Sequence, residues 1–147
     1  MNLRQLSDFK GDELVRRILG LADELRPLHL SLVGGDPLVR YREVAEVLPQ
    51  LLARGIHVQL VTSAFREMPS VWKSYRGFML SVSVDGLQHE HDERRKPATY
   101  ERILKNIANQ RATIHCTITG QMMKRPGYLE EFIQFWSSVD AVEKVWL

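Results

Sequence analysis

The chain has 147 residues, 44% hydrophobic and 26% charged, with a formal net charge of +2, which fits one globular domain over residues 1–147 with room for a core. So small a charge gives no electrostatic case for nucleic acid, and the basic triplet Arg94-Arg95-Lys96 reads as a solvated loop. No apolar run has membrane-spanning length, "MNLRQLSDFKGDEL" lacks the apolar stretch of a signal peptide, and the single cysteine, Cys116, excludes an internal disulfide or a cysteine-built metal cage, so a cytoplasmic protein with no membrane partner is expected.

Residues 12–25 carry Leu14, Ile18, Leu21, Ala22 and Leu25 at helical spacing. Leu28 to Val33 is a short apolar strand that stops on Gly34-Gly35-Asp36-Pro37. Val44, Val47, Leu48, Leu51 and Leu52 predict a helix lying on a sheet, with Pro49 expected to kink or split it and Gly55 to end it. Ile56–Thr62 is the next strand, followed by a poorly defined helix around Pro69–Tyr75, and then by Phe78–Val84. Tyr100, Ile103, Leu104, Ile107 and Ala108 predict a helix capped by Thr99. Thr113–Thr119 is a fourth strand, Leu129 to Trp136 a last helix, and Val142–Leu147 a fifth strand.

This alternation predicts an α/β fold with a parallel sheet and crossover helices. The strands are not continuously apolar, as strands covered on both faces would be. Phe78, Leu80, Val82 and Val84 oppose Met79, Ser81, Ser83 and Asp85, while Ile114, Cys116 and Ile118 oppose Thr113, His115, Thr117 and Thr119. In the second strand Ile56, Val58 and Leu60 oppose His57, Gln59, Val61 and Ser63. One greasy face and one polar face predict a partial (β/α) barrel with a wet or ligand-filled lumen, unlike the aliphatic interior of a closed barrel. His57 and His115 are then expected as hydrogen-bonded lumen residues. Trp72, Trp136 and Trp146 read as packing residues.

In parallel α/β folds ligands sit beyond the carboxyl ends of the strands. Those ends are Gly34-Gly35-Asp36-Pro37, Thr62-Ser63, Ser83-Val84-Asp85-Gly86 and Thr117-Ile118-Thr119-Gly120, all small or polar. Adjacent glycines allow a tight turn or a close approach of a ligand to the backbone. The run "HEHDE" at residues 89–93 holds metal-ligand types, but His89 and His91 two apart on a helix converge poorly. No metal site is assigned to it.

Two of these elements together resemble the radical S-adenosylmethionine (radical SAM) enzymes. "GGDPL" matches that family's G-G-E-P-L element, and "VSVDGLQHEHDERR" with "TYERILKNI" matches its V-S-x-D-G strand end and following helix. The resemblance runs from about Leu14 to Leu147. It implies a TIM-like partial barrel, truncated at its first strand and at its C-terminal end, that binds S-adenosylmethionine. Gly34, Gly35 and Asp36, with Pro37 completing the element, would meet the methionine amino group through backbone carbonyls and a carboxylate. Ser63 stands where the family commonly has Asn. Ser83 and Asp85 would line the ribose or carboxylate side, and Thr117 and Thr119 the lumen near adenosine or substrate.

The resemblance also implies a 4Fe–4S cluster, held by a C-x-x-x-C-x-x-C motif that this sequence lacks. The expectation is therefore a fragment of a radical SAM enzyme, inactive alone, whose intact parent would form a 5′-deoxyadenosyl radical; catalytic residues stay unknown. The alternative is a non-catalytic degenerate barrel acting as a nucleoside-binding or scaffold module. An ordinary barrel lyase or isomerase with phosphate at Gly34-Gly35 is weakened by the absence of a second glycine-rich loop. Exposed sheet edges are expected to favour association.

Overall fold

A computed structural model describes residues 8–120 and 122–147. The first helix, α1 (Gly11–Leu25), leads to β1 (His29–Leu32), α2 (Tyr41–Ala53), β2 (His57–Thr62) and β3 (Phe78–Val84). Then come α3 (Gln88–Arg94), α4 (Tyr100–Ile107), β4 (Ala112–Cys116), α5 (Tyr128–Ser137) and β5 (Val142–Trp146). Short 3-10 turns at Pro37–Arg40, Ser70–Ser74 and Met122–Lys124 lie between them.

Among the described residues the strands form one sheet in the order β1-β2-β3-β4-β5, every pair parallel. Sequential order has a geometric consequence. Right-handed crossovers that always step in the same direction put every helix on the same face. That face holds the core: Leu48 and Leu51 of α2, Ile103 and Ile107 of α4, and Phe132 and Trp136 of α5 are buried. They meet Leu60, Leu80, Val82 and Ile114 of the sheet in one cluster, each such side chain contributing about 1.5–3 kcal/mol. A doubly wound sheet would reverse its order midway; this one does not, and the expected α/β partial barrel is what is seen.

The other face is bare at several positions. His29, Ser31, His57 and His115 are exposed, and Gln59 and Ser83 half-buried. Ser31 Oγ–H donates to Gln59 Oε1 at 3.1 Å and lies 3.0 Å from His29 Nε2, a polar ladder across β1 and β2. In the middle of this face Ser81 and Thr113 are buried.

Four details differ from the sequence reading. Pro49 does not split α2, because Val44, Val47, Leu48 and Leu51 bury one continuous face on both sides of it. The fourth strand ends at Cys116, which leaves Thr117, Ile118 and Thr119 in a loop. Trp146 is 43% exposed beside His115, not a packing residue. His57 and His115 are open to solvent. Among the described residues no helix is long and apolar enough to cross a membrane.

Candidate functional site

The loop after β1 turns on two glycines, Gly34 at φ +97° and Gly35 at φ +55°, with no atom within 4 Å of where a Cβ would sit. The glycines are therefore needed for left-handed backbone, which leaves their peptide groups uncovered by side chains. Asp36 then fixes the loop to β2. Its carboxylate caps the following 3-10 turn by accepting from Leu38 N–H (3.0 Å), and reaches across to β2. There Thr62 Oγ1–H (2.7 Å), Ser63 N–H (2.8 Å) and Ser63 Oγ–H (2.6 Å) all donate to it. Asp36 is thus a latch engaged by four donors.

The latch passes into a strained turn. Thr62 Oγ1 also accepts from Ala64 N–H at 3.0 Å, and Ala64 is wholly buried at φ +55°. A non-glycine residue held there costs of order 1–3 kcal/mol and persists where surrounding structure over-determines it. Asn106 Nδ2–H donates to Ala64 O at 2.8 Å from α4. Asp36→Ala leaves several of these donors without an acceptor, so it is expected to lower stability by about 2 kcal/mol; the shift of a urea unfolding curve measures it.

Beside this loop, the end of β3 is tied by a second network. His91 is fully buried. Its Nδ1 accepts from Asp85 N–H at 3.0 Å, so Nε2 carries the proton that goes to Ala98 O at 2.7 Å. Burial holds its pKa below the ordinary value of 6.5, and both ring nitrogens of this residue of the run "HEHDE" are engaged within the fold. Asp85 takes two bonds from Arg95, at 2.8 and 3.0 Å, and these hold its carboxyl below the usual carboxylate value. Tyr100 Oη–H donates to Gly86 O and accepts from Trp136 Nε1–H at 3.0 Å. Leu87 N–H donates to Tyr128 Oη at 2.8 Å.

Between the two networks lies a cleft of about 440 Å³. It brings together Gly34, Gly35, Asp36, Ser63 and Ser83, with Arg94, Arg95 and Lys96 on its far wall. Asp85 and Thr119 line a neighbouring hollow of about 180 Å³ with Glu90, Arg94 and Tyr128. Pro37 and Thr117 line neither; Pro37 begins the 3-10 turn, and Thr117 is exposed in the loop after β4. Of the basic triplet, Arg94 and Lys96 are exposed as a solvated stretch would be, but Arg95 is in an ion pair and all three residues line the cleft. Their position at the C-terminal end of α3 was the available signal, and reading them as a charge run missed it. Cys116 is buried, and burial pushes its thiol pKa up.

A family model described as the Radical SAM superfamily matches residues 6–135. Among solved structures the chain is similar to "Native anSMEcpe with bound AdoMet", at 14% identity and a TM-score of 0.67, over 99% of this chain and 45% of that one. It is also similar to "Crystal structure of archaeal TYW1", at 17% identity and a TM-score of 0.54, over 95% of this chain and 58% of that one. At these identities the likeness is one of fold, and the chain spans about half the length of those structures. No curated protein matches it.

Proposed function

Because the chain belongs to the radical SAM superfamily, we propose that its cleft between Gly34-Gly35 and Arg94-Lys96 binds S-adenosylmethionine. The observation that carries this reading is the convergence of Gly34, Gly35, Ser63 and Ser83 with that basic segment in one cleft of about 440 Å³, a volume usual for small-molecule sites. The donor set fits the ligand's methionyl end. An ammonium needs acceptors, and glycine carbonyls uncovered by side chains supply them; a carboxylate needs cations, and Arg94 and Lys96 supply those. Arg95, committed to Asp85, and Asp36, committed to the latch, are positioning residues. Ser83 has a half-buried hydroxyl on the cleft wall for a ribose or carboxylate oxygen.

The cluster is a different matter. S-Adenosylmethionine is cleaved reductively in this family by electrons from a 4Fe–4S cluster, and such clusters are held by thiolates. This sequence has one cysteine, buried and unfavourable as a thiolate. Among the described residues no three histidine, cysteine or acidic side chains group as a metal site. The residues present do not fit the cluster, so no radical step is assigned to them. Our reading is a fragment-like cofactor-binding half-barrel, inactive alone in radical chemistry, with association through the edges of β1 and β5.

Isothermal titration with S-adenosylmethionine is the test. Saturable binding with Kd below about 1 mM is expected, weakened about tenfold or more by Gly35→Val. Anaerobic treatment with iron and sulfide is expected to give no stoichiometric 4Fe–4S absorbance. A stoichiometric cluster would overturn the second half of the reading. Absence of binding by the folded chain would overturn the first and leave the scaffold alternative.

A further inference from the structure

A separate cleft, of about 370 Å³, opens at the other end of the sheet, where the amino ends of β3, β4 and β5 meet the 3-10 turn at Ser70–Ser74. Its wall carries Lys73, Arg76, Arg111 and Lys144 against one carboxylate, Glu143. Glu143 lies 3.5 Å from Arg111. Among the described residues Lys73, Arg76 and Lys144 have no ion pair. Four cations gathered around one concavity repel one another, and an anion relieves that repulsion.

A second observation is independent of charge. Gln110 lines the same cleft and is only 2% exposed. Its Nε2 donates to Met68 O (3.3 Å) and Pro69 O (3.1 Å), which fixes the orientation of the amide. Its Oε1 is buried with no partner. A buried acceptor without a donor costs about 1–3 kcal/mol, and here neither rotation nor exchange of the amide ends removes that cost without losing both carbonyl partners. Tyr75 and Phe78, half-buried, add an aromatic wall.

We infer that this cleft is a second ligand site, for a small phosphomonoester that also carries hydroxyl or N–H donors. The arginine and lysine heads, all exposed, take the phosphate, for which guanidinium forks are suited, and Gln110 Oε1, which its neighbours cover, accepts from the donor once they part around the ligand. A nucleic-acid strand is a poorer match, because the chain's net charge is only +2 and the cations line one small cleft. The site shares no residue with the S-adenosylmethionine cleft and stands whether or not that reading does.

The probe is ribose 5-phosphate, titrated into the isotope-labelled protein and followed by amide resonances, with inorganic phosphate and ribose as comparators. Ribose 5-phosphate is expected to shift the Gly77 and Arg111 amides saturably, about tenfold more tightly than inorganic phosphate, and ribose not at all. Lys144→Ala and Arg76→Ala are each expected to weaken it about threefold or more, and Glu143→Gln to strengthen it about threefold. Gln110→Met is expected to bring it down to the affinity of inorganic phosphate; should that variant not fold, the Lys144 and Glu143 variants decide. The inference is overturned by equal affinity for the two anions, or by no saturable shift at about 10 mM. Shifts confined to the Gly34-Gly35 cleft, or a single-stranded oligonucleotide outcompeting the sugar phosphate, overturn it as well.

Discussion

Replacing Gly86 by alanine is expected to destabilise the protein by about 3 kcal/mol. Gly86 sits at φ +105°, and a Cβ there would lie 2.5 Å from Tyr128 Oη and 2.9 Å from Met122 Cε. Tyr128 cannot simply swing away, because its Oη accepts from Leu87 N–H. Moving the backbone instead would break the bond from Tyr100 to Gly86 O, and with it the link to Trp136. Gly34 provides the control. It has a similar φ of +97° but open space around it, so Gly34→Ala is expected to cost about 1 kcal/mol of backbone strain alone. Urea unfolding of both variants checks this, and equal losses would refute the steric account.

His91→Leu is expected to cost about 3 kcal/mol as well, since it strips partners from the half-buried Asp85 N–H and the buried Ala98 O. His91 also gives the protein a pH signature. The folded state holds it neutral, with its pKa lowered by burial from 6.5. As pH falls below 6.5 the unfolded chain takes up a proton that the folded chain refuses, so stability declines until the lowered folded value is passed. Asp85 and Asp92 oppose this by favouring the cation, and Arg95 reinforces it. Asp85 acts further down. Its stabilisation by Arg95 is complete above 3.8 and is lost as pH falls through its depressed folded pKa. Urea midpoints from about pH 7.5 to about pH 5 should fall for the native protein and flatten for His91→Gln, which can hydrogen-bond but does not titrate there. An unchanged slope in that variant would assign the pH dependence elsewhere.

The fold was legible because its signals were local. Alternating strand faces and helical spacing depend on neighbours a few residues apart, and they located each strand to within a few residues. The fourth strand was overextended because Thr117–Thr119 continues the alternation, whereas the pairing with β3 stops at Cys116. The glycine loop was legible as a site element, but the job of Asp36 was not. Its partners Thr62 and Ser63 lie 26 and 27 residues away, and only β1–β2 register brings them into reach. Arg94, Arg95 and Lys96 were discounted for the same reason: a charge run in sequence carries no record of which wall it will face. His91 shows the reverse, a ligand-type residue whose two ring nitrogens are used by the backbone.

The strand order has a consequence for how the chain acquires its shape. Each strand pairs only with the strands just before and just after it in the chain, so no distant segment must wait for another before it can dock. The sheet can therefore assemble vectorially, each new βα crossover laid on a finished edge, and it can come apart from its edges inward. Protection of backbone amides against exchange should be greatest in β2, β3 and β4 and should fray first at the edge strands β1 and β5, whose side chains are all exposed or half-buried.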